Sequence, residues 1–90
     1  MTDRGPSEAE LAQAILDLLD RREPGRTICP SEVARAAAGA SASEGEWRAL
    51  MEPVRSPARR LVADNVVVLT QGGEPVDPAS VRGPVRIRRA

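Results

Sequence analysis

Residues 66–73 read Val-Val-Val-Leu-Thr-Gln-Gly-Gly, and this stretch decides the fold of the chain. Four consecutive branched or large aliphatic residues are typical of a β-strand, and the glycine pair that follows is a turn signal. Residues 85–88, Val-Arg-Ile-Arg, alternate apolar and basic side chains as a half-exposed strand does. The two segments predict a C-terminal β-hairpin whose long connection contains one capped turn at residues 77–80.

Upstream of this hairpin the chain shows the start and stop signals of helices. Ser7 and Glu10 form a capping box that begins a first helix, which ends near Arg22 before a Glu-Pro-Gly sequence. Residues 27–28 are predicted to be a short extended piece, and Pro30 at the first helical position begins a second helix that ends at Gly39. The apolar face of the first helix recurs at spacings of three and four: Leu11, Ala14, Ile15, Leu18 and Leu19.

A third helical region follows a turn at residues 40–43. A second capping box, Ser43 with Glu46, begins a short helix that carries Trp47, Leu50 and Met51. We predict the main helix over residues 54–64, with Asn65 as its left-handed cap. Because a proline past the first turn loses a hydrogen bond and clashes with the carbonyl four residues earlier, this helix either begins as late as Ser56 or is kinked at Pro57.

The order is helix, short strand, helix, helix, strand, loop, strand. It predicts an α+β fold, a winged helix-turn-helix with three or four helices and a C-terminal β-hairpin as its wing. We expect one such domain over residues 7–90 and a disordered N-terminus over residues 1–6.

Four ordered motifs in this sequence resemble those of a small bacterial protein family of unknown function. The resemblance spans roughly residues 8–88 and implies the winged-helix fold that is predicted for that family, without any activity or site residues. The Ser56-Pro57 pair departs from the family pattern, in which this helix runs through Ala-like residues. The motifs are Thr-Ile-Cys-Pro-Ser-Glu-Val-Ala-Arg at 27–35, Trp-Arg-Ala-Leu-Met-x-Pro-Val-Arg at 47–55, Pro-Val-Asp-Pro at 75–78 and Arg-Gly-Pro-Val-Arg-Ile-Arg at 82–88.

The composition narrows the class of protein. With one Trp and neither Phe nor Tyr among 90 residues, the core has to be aliphatic. No apolar run approaches the roughly 20 residues of a membrane span, and the first residues do not form a secretion signal. Cys29 is the single cysteine, which excludes an internal disulfide and favours a reducing cytoplasm.

The sequence offers no catalytic constellation. Histidine is absent, which excludes His-based metal sites and Ser-His or Cys-His nucleophile pairs. The glycine pair at 72–73 lacks the helix and Lys of a phosphate-binding loop. We therefore predict a protein that is not an enzyme and uses neither a metal nor another cofactor.

Two single residues allow two interpretations each. Cys29 at a helix N-terminus near Arg26 is either a thiol sensor with a lowered pKa, or an N-cap or small buried hydrophobic residue beside Ile28. Trp47 is either an exposed recognition residue or a core anchor, and burial statistics favour the anchor.

Charge is divided unevenly along the chain. Residues 1–45 hold five Arg against eight acidic residues, and residues 46–90 hold eight Arg against five. On a continuous helix Arg48, Arg55 and Arg59 would share one face, with Arg60 adjacent, and in a winged helix that face is offered to the major groove of DNA. The predicted nucleic-acid-binding residues on the helix and the wing are Arg48, Arg55, Arg59, Arg60, Arg82, Arg86 and Arg88, with Arg89 beside them.

The alternative for these arginines is a solvated helix face with local ion pairs, Glu52 with Arg55 or Arg60 with Asp64. The pI near 6.3 is low for a nucleic-acid-binding protein and favours this alternative. The predicted function is thus a DNA-binding small regulator or accessory factor, or else a protein-interaction or dimerisation module without nucleic-acid binding. Because Val67 and Leu69 point opposite to Val66 and Val68, one pair has to leave the core, and a homodimer through the strand pair would cover it.

Overall fold

The computed structural model describes residues 5–90 and has a mixed α+β fold. Four helices lie within these residues: α1 (Glu8–Asp20), α2 (Pro30–Ala38), α3 (Glu44–Arg48) and α4 (Met51–Ala63). The strands within them are β1 (Thr27–Ile28), β2 (Val67–Gln71), β3 (Glu74–Pro75) and β4 (Arg86–Arg89). The predicted disordered segment over residues 1–6 falls mostly on residues 1–4, which lie outside the described residues.

The strands form one antiparallel sheet in the order β1-β4-β2-β3. The last strand in the chain is therefore an inner strand, with Ile87 opposite both Ile28 of β1 and Leu69 of β2. The sequence predicted the pairing of β2 with β4 but missed β3, which is only two residues long. Gly72 and Gly73 join β2 to β3 with φ of 61° and 87°, the left-handed conformations that glycine adopts without strain in a two-residue hairpin turn. This arrangement is compatible with a winged-helix-like fold.

The predicted helix signals are confirmed in atomic detail. Each of the two serine caps accepts a hydrogen bond from the backbone N–H three residues on, and the glutamate there accepts one from the serine's own N–H. A capping interaction of this kind contributes about 1 kcal/mol. Pro30 is the first residue of α2, and Gly39 is its C-cap.

Helix α4 differs from the prediction at its start. It begins at Met51, three residues earlier than expected, and runs through both Pro53 and Pro57, so the later start at Ser56 is wrong. Pro53 lies in the first turn, where an N–H would have no partner inside the helix. Pro57 does remove one hydrogen bond, yet its ring is almost completely buried, and this burial offsets part of the cost.

The end of α4 is a Schellman motif, in which two backbone N–H groups satisfy carbonyls of the last turn. Asn65 has a φ of 62° and donates its N–H to the carbonyl of Val62 at 3.0 Å, while Val66 donates to Leu61 at 2.9 Å. The predicted left-handed cap at Asn65 is confirmed. The motif turns the chain directly into β2.

The core is aliphatic, as the composition predicted. Successive turns of α1 contribute Leu11, Ile15 and Leu19 to it, and α4 and β2 contribute most of its other members. Its largest members are Leu11, Ile15, Leu19, Ile28, Val33, Val54, Leu61, Val67, Leu69 and Ile87. No helix within residues 5–90 is long and apolar enough to cross a membrane.

The aliphatic residues at 66–69 leave little apolar surface uncovered. Val67 and Leu69 are the buried pair, and Val66 is half-buried against the core. Val68 is half-buried on the opposite face, where Arg88 is its cross-strand partner. The apolar surface that suggested a homodimer is therefore limited to one half-buried valine beside a long arginine side chain.

Candidate nucleic-acid interface and the adjacent groove

Two of the predicted arginines lie together on the exposed side of α4. Arg55 and Arg59 are one helical turn apart, and both are exposed. Val54 and Ala58, the residues just before them, point into the core and fix this orientation. An ion pair on this face joins Arg55 Nε to a carboxylate oxygen of Glu52 at 3.8 Å. The two side chains are 65% and 82% exposed.

Both arginines border a groove of about 410 Å³ between α4 and the segment that leads into β4. The helix contributes Met51, Val54 and Ala58 to one wall, and residues 81–85 contribute the other. Leu69 and Ile87 form the floor, where the sheet passes underneath. The groove is therefore apolar, with two guanidinium groups and the carboxylate of Glu52 among its polar borders.

Arg82 lies on the segment that forms the second wall. The amide nitrogen of Gln71 donates to the carbonyl of Arg82 at 2.6 Å and to that of Pro84 at 3.0 Å. These bonds attach the segment to the end of β2, while the side chain of Arg82 stays at the exposed surface. The N-terminal part of the same connection is the predicted capped turn, in which the N–H of Ala79 donates to Asp77 Oδ1 at 2.9 Å.

Arg48 does not share the face of Arg55 and Arg59. The prediction assumed a continuous helix, but α3 ends at Arg48 and α4 begins at Met51. Arg48 pairs with Glu44 at 2.7 Å, one turn back on α3, and its guanidinium lies 5.5 Å from the ring centroid of Trp47.

Trp47 packs against the edge of the core and is only half-buried. The guanidinium of Arg35 on α2 lies 4.4 Å from its ring centroid. The predicted core anchor is thus a link between α2 and α3 at the periphery of the core.

Arg60 faces the first helix. Its Nη1 lies 3.7 Å from a carboxylate oxygen of Glu8, so the predicted pairing with Asp64 is wrong. The two partners are separated by 52 positions in sequence, and only the packing of α1 against α4 brings them together.

Arg86 and Arg88 lie on β4 and are directed away from the groove. Arg86 donates from Nε to Thr27 Oγ1 at 2.9 Å and from Nη2 to the carbonyl of the same residue at 3.3 Å. Arg88 donates from Nη1 to the carbonyl of Arg89 at 3.2 Å, and Arg89 pairs with Asp20 at the end of α1. Arg86 and Arg88 therefore border a different surface from Arg55 and Arg59.

Cys29 is the N-cap of α2 and is half-buried. Its backbone N–H donates to Glu32 Oε2 at 3.0 Å, and its Sγ accepts from the hydroxyl of Ser31 at 3.1 Å. The interpretation as an N-cap is confirmed. Its position also places Cys29 in the lining of the groove, next to Pro30.

A protein-family comparison matches residues 8–90 to the family described as "Protein of unknown function (DUF3253)". The chain belongs to the DUF3253 family. None of the curated proteins matches the chain. Within residues 5–90 of this DUF3253 member, no group of three or more His, Cys, Asp or Glu side chains is placed to hold a metal ion.

A second basic cluster of this DUF3253 member was not among the sequence predictions. The pairing of β1 with β4 brings Arg86 beside three arginines from the N-terminal half, which the charge count had assigned to an acidic region. Glu32 forms an ion pair with one of them, Arg22. The cluster consists of Arg21, Arg22, Arg26 and Arg86, with Glu23 and Glu32 beside them. A sequence signal existed only in the two predicted strands at 27–28 and 85–88, whose pairing with each other was not predicted.

The ion pairs of these arginines leave them available to a partner. All five salt bridges of the described residues join side chains that are between 32% and 82% exposed. Pairs at such positions typically contribute only about 0–1 kcal/mol, because water screens the charges and both side chains lose entropy. An anionic partner can therefore replace the carboxylates at small cost.

Proposed function

We propose that this DUF3253 member is a winged-helix protein that binds double-stranded DNA, as a small regulator or accessory factor without catalytic activity. The observation that carries the proposal is the pair Arg55 and Arg59, exposed one turn apart on α4 beside the loop that carries Arg82. A helix and a neighbouring loop that both present arginines match the way winged helices contact a duplex.

The proposed contacts are mainly to phosphates. Guanidinium groups bind phosphate oxygens through pairs of hydrogen bonds and need no particular base sequence. Arg48 and Arg60 lie outside this pair and would add weaker, longer-range attraction. Arg86 and Arg88 would meet only a duplex that continues past the sheet. Because the whole chain has a net charge of zero, we expect weak binding that falls steeply with added salt.

The test is the fluorescence anisotropy of a labelled duplex of about 20 base pairs, titrated with the protein at low and at physiological salt. The variant Arg55→Glu/Arg59→Glu should abolish binding at low salt. The matched control is Arg21→Glu/Arg26→Glu, which changes the net charge equally at exposed positions of the second basic cluster. Absence of binding at low salt, or an equal loss in both variants, would contradict the proposal.

The alternative function is a protein-interaction or dimerisation module without nucleic-acid binding. Its support is the half-buried Val68 on the outer face of β2. Sedimentation velocity at increasing protein concentration tests it, because a dimer through the strand pair should dissociate in the variant Val68→Glu. A monomer at all concentrations argues against dimerisation.

A further inference from the structure

The groove between α4 and residues 81–85 has the features of a small-molecule site. Its volume of about 410 Å³ lies within the roughly 300–1,000 Å³ typical of such sites. Its floor is formed by Leu69 and Ile87, both of which belong to the core and have fixed positions in the sheet. The groove is thus part of the folded structure, and a ligand would meet a surface that is already in place.

The polar groups at the groove favour an anion. Arg55 and Arg59 contribute two positive charges, and Glu52 contributes one negative charge that is 82% exposed and weakly paired with Arg55 at 3.8 Å. A guanidinium group offers two parallel N–H donors that match the two oxygens of a carboxylate. An acid with an apolar body would place that body on the aliphatic floor and its carboxylate at the arginines.

We propose that this groove binds a small apolar carboxylate, with Arg55 and Arg59 as the groups that hold the carboxylate. The inference depends on the groove alone and not on the proposed binding of DNA. Its test uses the free protein without DNA, so either proposal can fail while the other stands.

The chain carries its own reporter for occupancy. Cys29 is the single cysteine and lines the groove, so its alkylation by iodoacetamide should slow when a ligand fills the space in front of it. The probes are 2-naphthoate and its uncharged counterpart 2-naphthamide, which share one ring system. We expect 2-naphthoate to slow alkylation at least about fivefold at saturation, and to do so at a concentration about tenfold lower than 2-naphthamide, since charge-assisted hydrogen bonds are the stronger ones.

A pair of variants separates the arginines of the groove from charge in general. Arg55→Gln/Arg59→Gln should raise the half-protecting concentration of 2-naphthoate about tenfold and leave that of 2-naphthamide unchanged. Arg48→Gln/Arg60→Gln removes the same charge from exposed positions away from the groove and should change neither. All four positions are exposed, so both variants should keep the fold, which far-UV circular dichroism verifies.

A second measurement locates the ligand independently of the thiol. The backbone amide resonances of Gly83 and Val85 should shift on addition of 2-naphthoate, because both residues line the groove. The inference is overturned if 2-naphthoate neither protects Cys29 nor shifts these resonances, or if both ligands bind equally and the two arginine pairs respond alike. Protection that grows with protein concentration in the absence of ligand would assign the groove to a second copy of the chain and would also overturn it.

Discussion

The guanidinium of Arg35 on α2 lies over the indole ring of Trp47 on α3, with its Cζ atom 4.4 Å from the ring centroid. The contact joins the two helices on either side of the turn at residues 39–43. Arg48 reaches the same ring from α3 itself, at 5.5 Å. The angle between α2 and α3 is therefore held by a cation and an aromatic ring in addition to the aliphatic core.

Removing this contact should be visible in stability and in fluorescence. We expect Arg35→Ala to lower the free energy of unfolding by about 0.5–1 kcal/mol, the usual size of an exposed cation–π contact. Because Trp47 is the only tryptophan, its emission spectrum should also change. Arg59→Ala is the control, since Arg59 has no contact with the ring, and an identical response of the two variants would contradict the role of Arg35.

Ile87 should be among the most sensitive positions of the chain. Its side chain is fully buried, and it lies between Ile28 and Leu69 in the sheet. We expect Ile87→Val to cost about 0.5–1.5 kcal/mol and Ile87→Ala about 2–5 kcal/mol, because the transfer free energy and the cavity both contribute. Urea denaturation measures the loss. Arg88→Ala, next in sequence on the outer face, is the control and should stay within about 0.5 kcal/mol of the parent.

Pro57 allows a test of two opposing effects. Replacement by Ala restores an N–H inside α4, where a proline costs about 3 kcal/mol. It also removes about two buried methylene groups, at about 0.8 kcal/mol each. In addition it raises the conformational entropy of the unfolded chain, which lowers stability. We expect Pro57→Ala either to leave the free energy of unfolding unchanged or to raise it by up to about 1 kcal/mol, as measured by thermal denaturation. A loss above about 2 kcal/mol would mean that ring packing dominates. The control Pro53→Ala lies in the first turn and restores no helical hydrogen bond.

The N-cap of α3 should contribute measurably to the stability of the whole protein, although this helix has only five residues. Ser43→Ala removes the acceptor of the Glu46 N–H and should lower the free energy of unfolding by about 1 kcal/mol. Ser41→Ala, an exposed position in the preceding turn, is the matched control. Equal midpoints of the two variants in urea would show that the capping box contributes nothing to the stability of the folded protein.

If the protein binds DNA as proposed, the salt dependence of its binding constant reports the number of phosphate contacts. Each contact adds about 0.9 to the slope of log K against log salt concentration. Arg55→Ala/Arg59→Ala should therefore reduce the slope by about 1.8, provided that residual binding remains measurable at low salt. Arg48→Ala should leave the slope nearly unchanged, because Arg48 lies on α3 and does not share the face of Arg55 and Arg59. A slope that responds to Arg48 as strongly would contradict the placement of the interface on α4.

The sequence predicted the elements that short-range signals specify. Ser7, Ser43 and Pro30 mark helix starts through interactions within four residues, and Asn65 marks a helix end in the same way. These signals do not depend on the rest of the fold, which explains why they were read correctly.

The sequence could not predict what tertiary contacts decide. The course of α4 through Pro57 depends on the burial of its ring, which no local pattern reveals. The arginines were assigned to one face because a continuous helix was assumed, whereas the break before Met51 separates Arg48 from Arg55. The groove and the second basic cluster both arise from chain segments that are far apart in sequence, so neither had a signal of its own.

The inner position of β4 has a consequence for synthesis on the ribosome. Residues 27–28 leave the exit tunnel long before residues 86–89, yet β1 has its only sheet partner, within the described chain, in β4. At a translation rate of about 5–20 residues per second, Ile28 is synthesised several seconds before its partner Ile87. During this interval the helices can form while one side of their apolar surface is uncovered, and such exposed surface makes a nascent chain prone to aggregation.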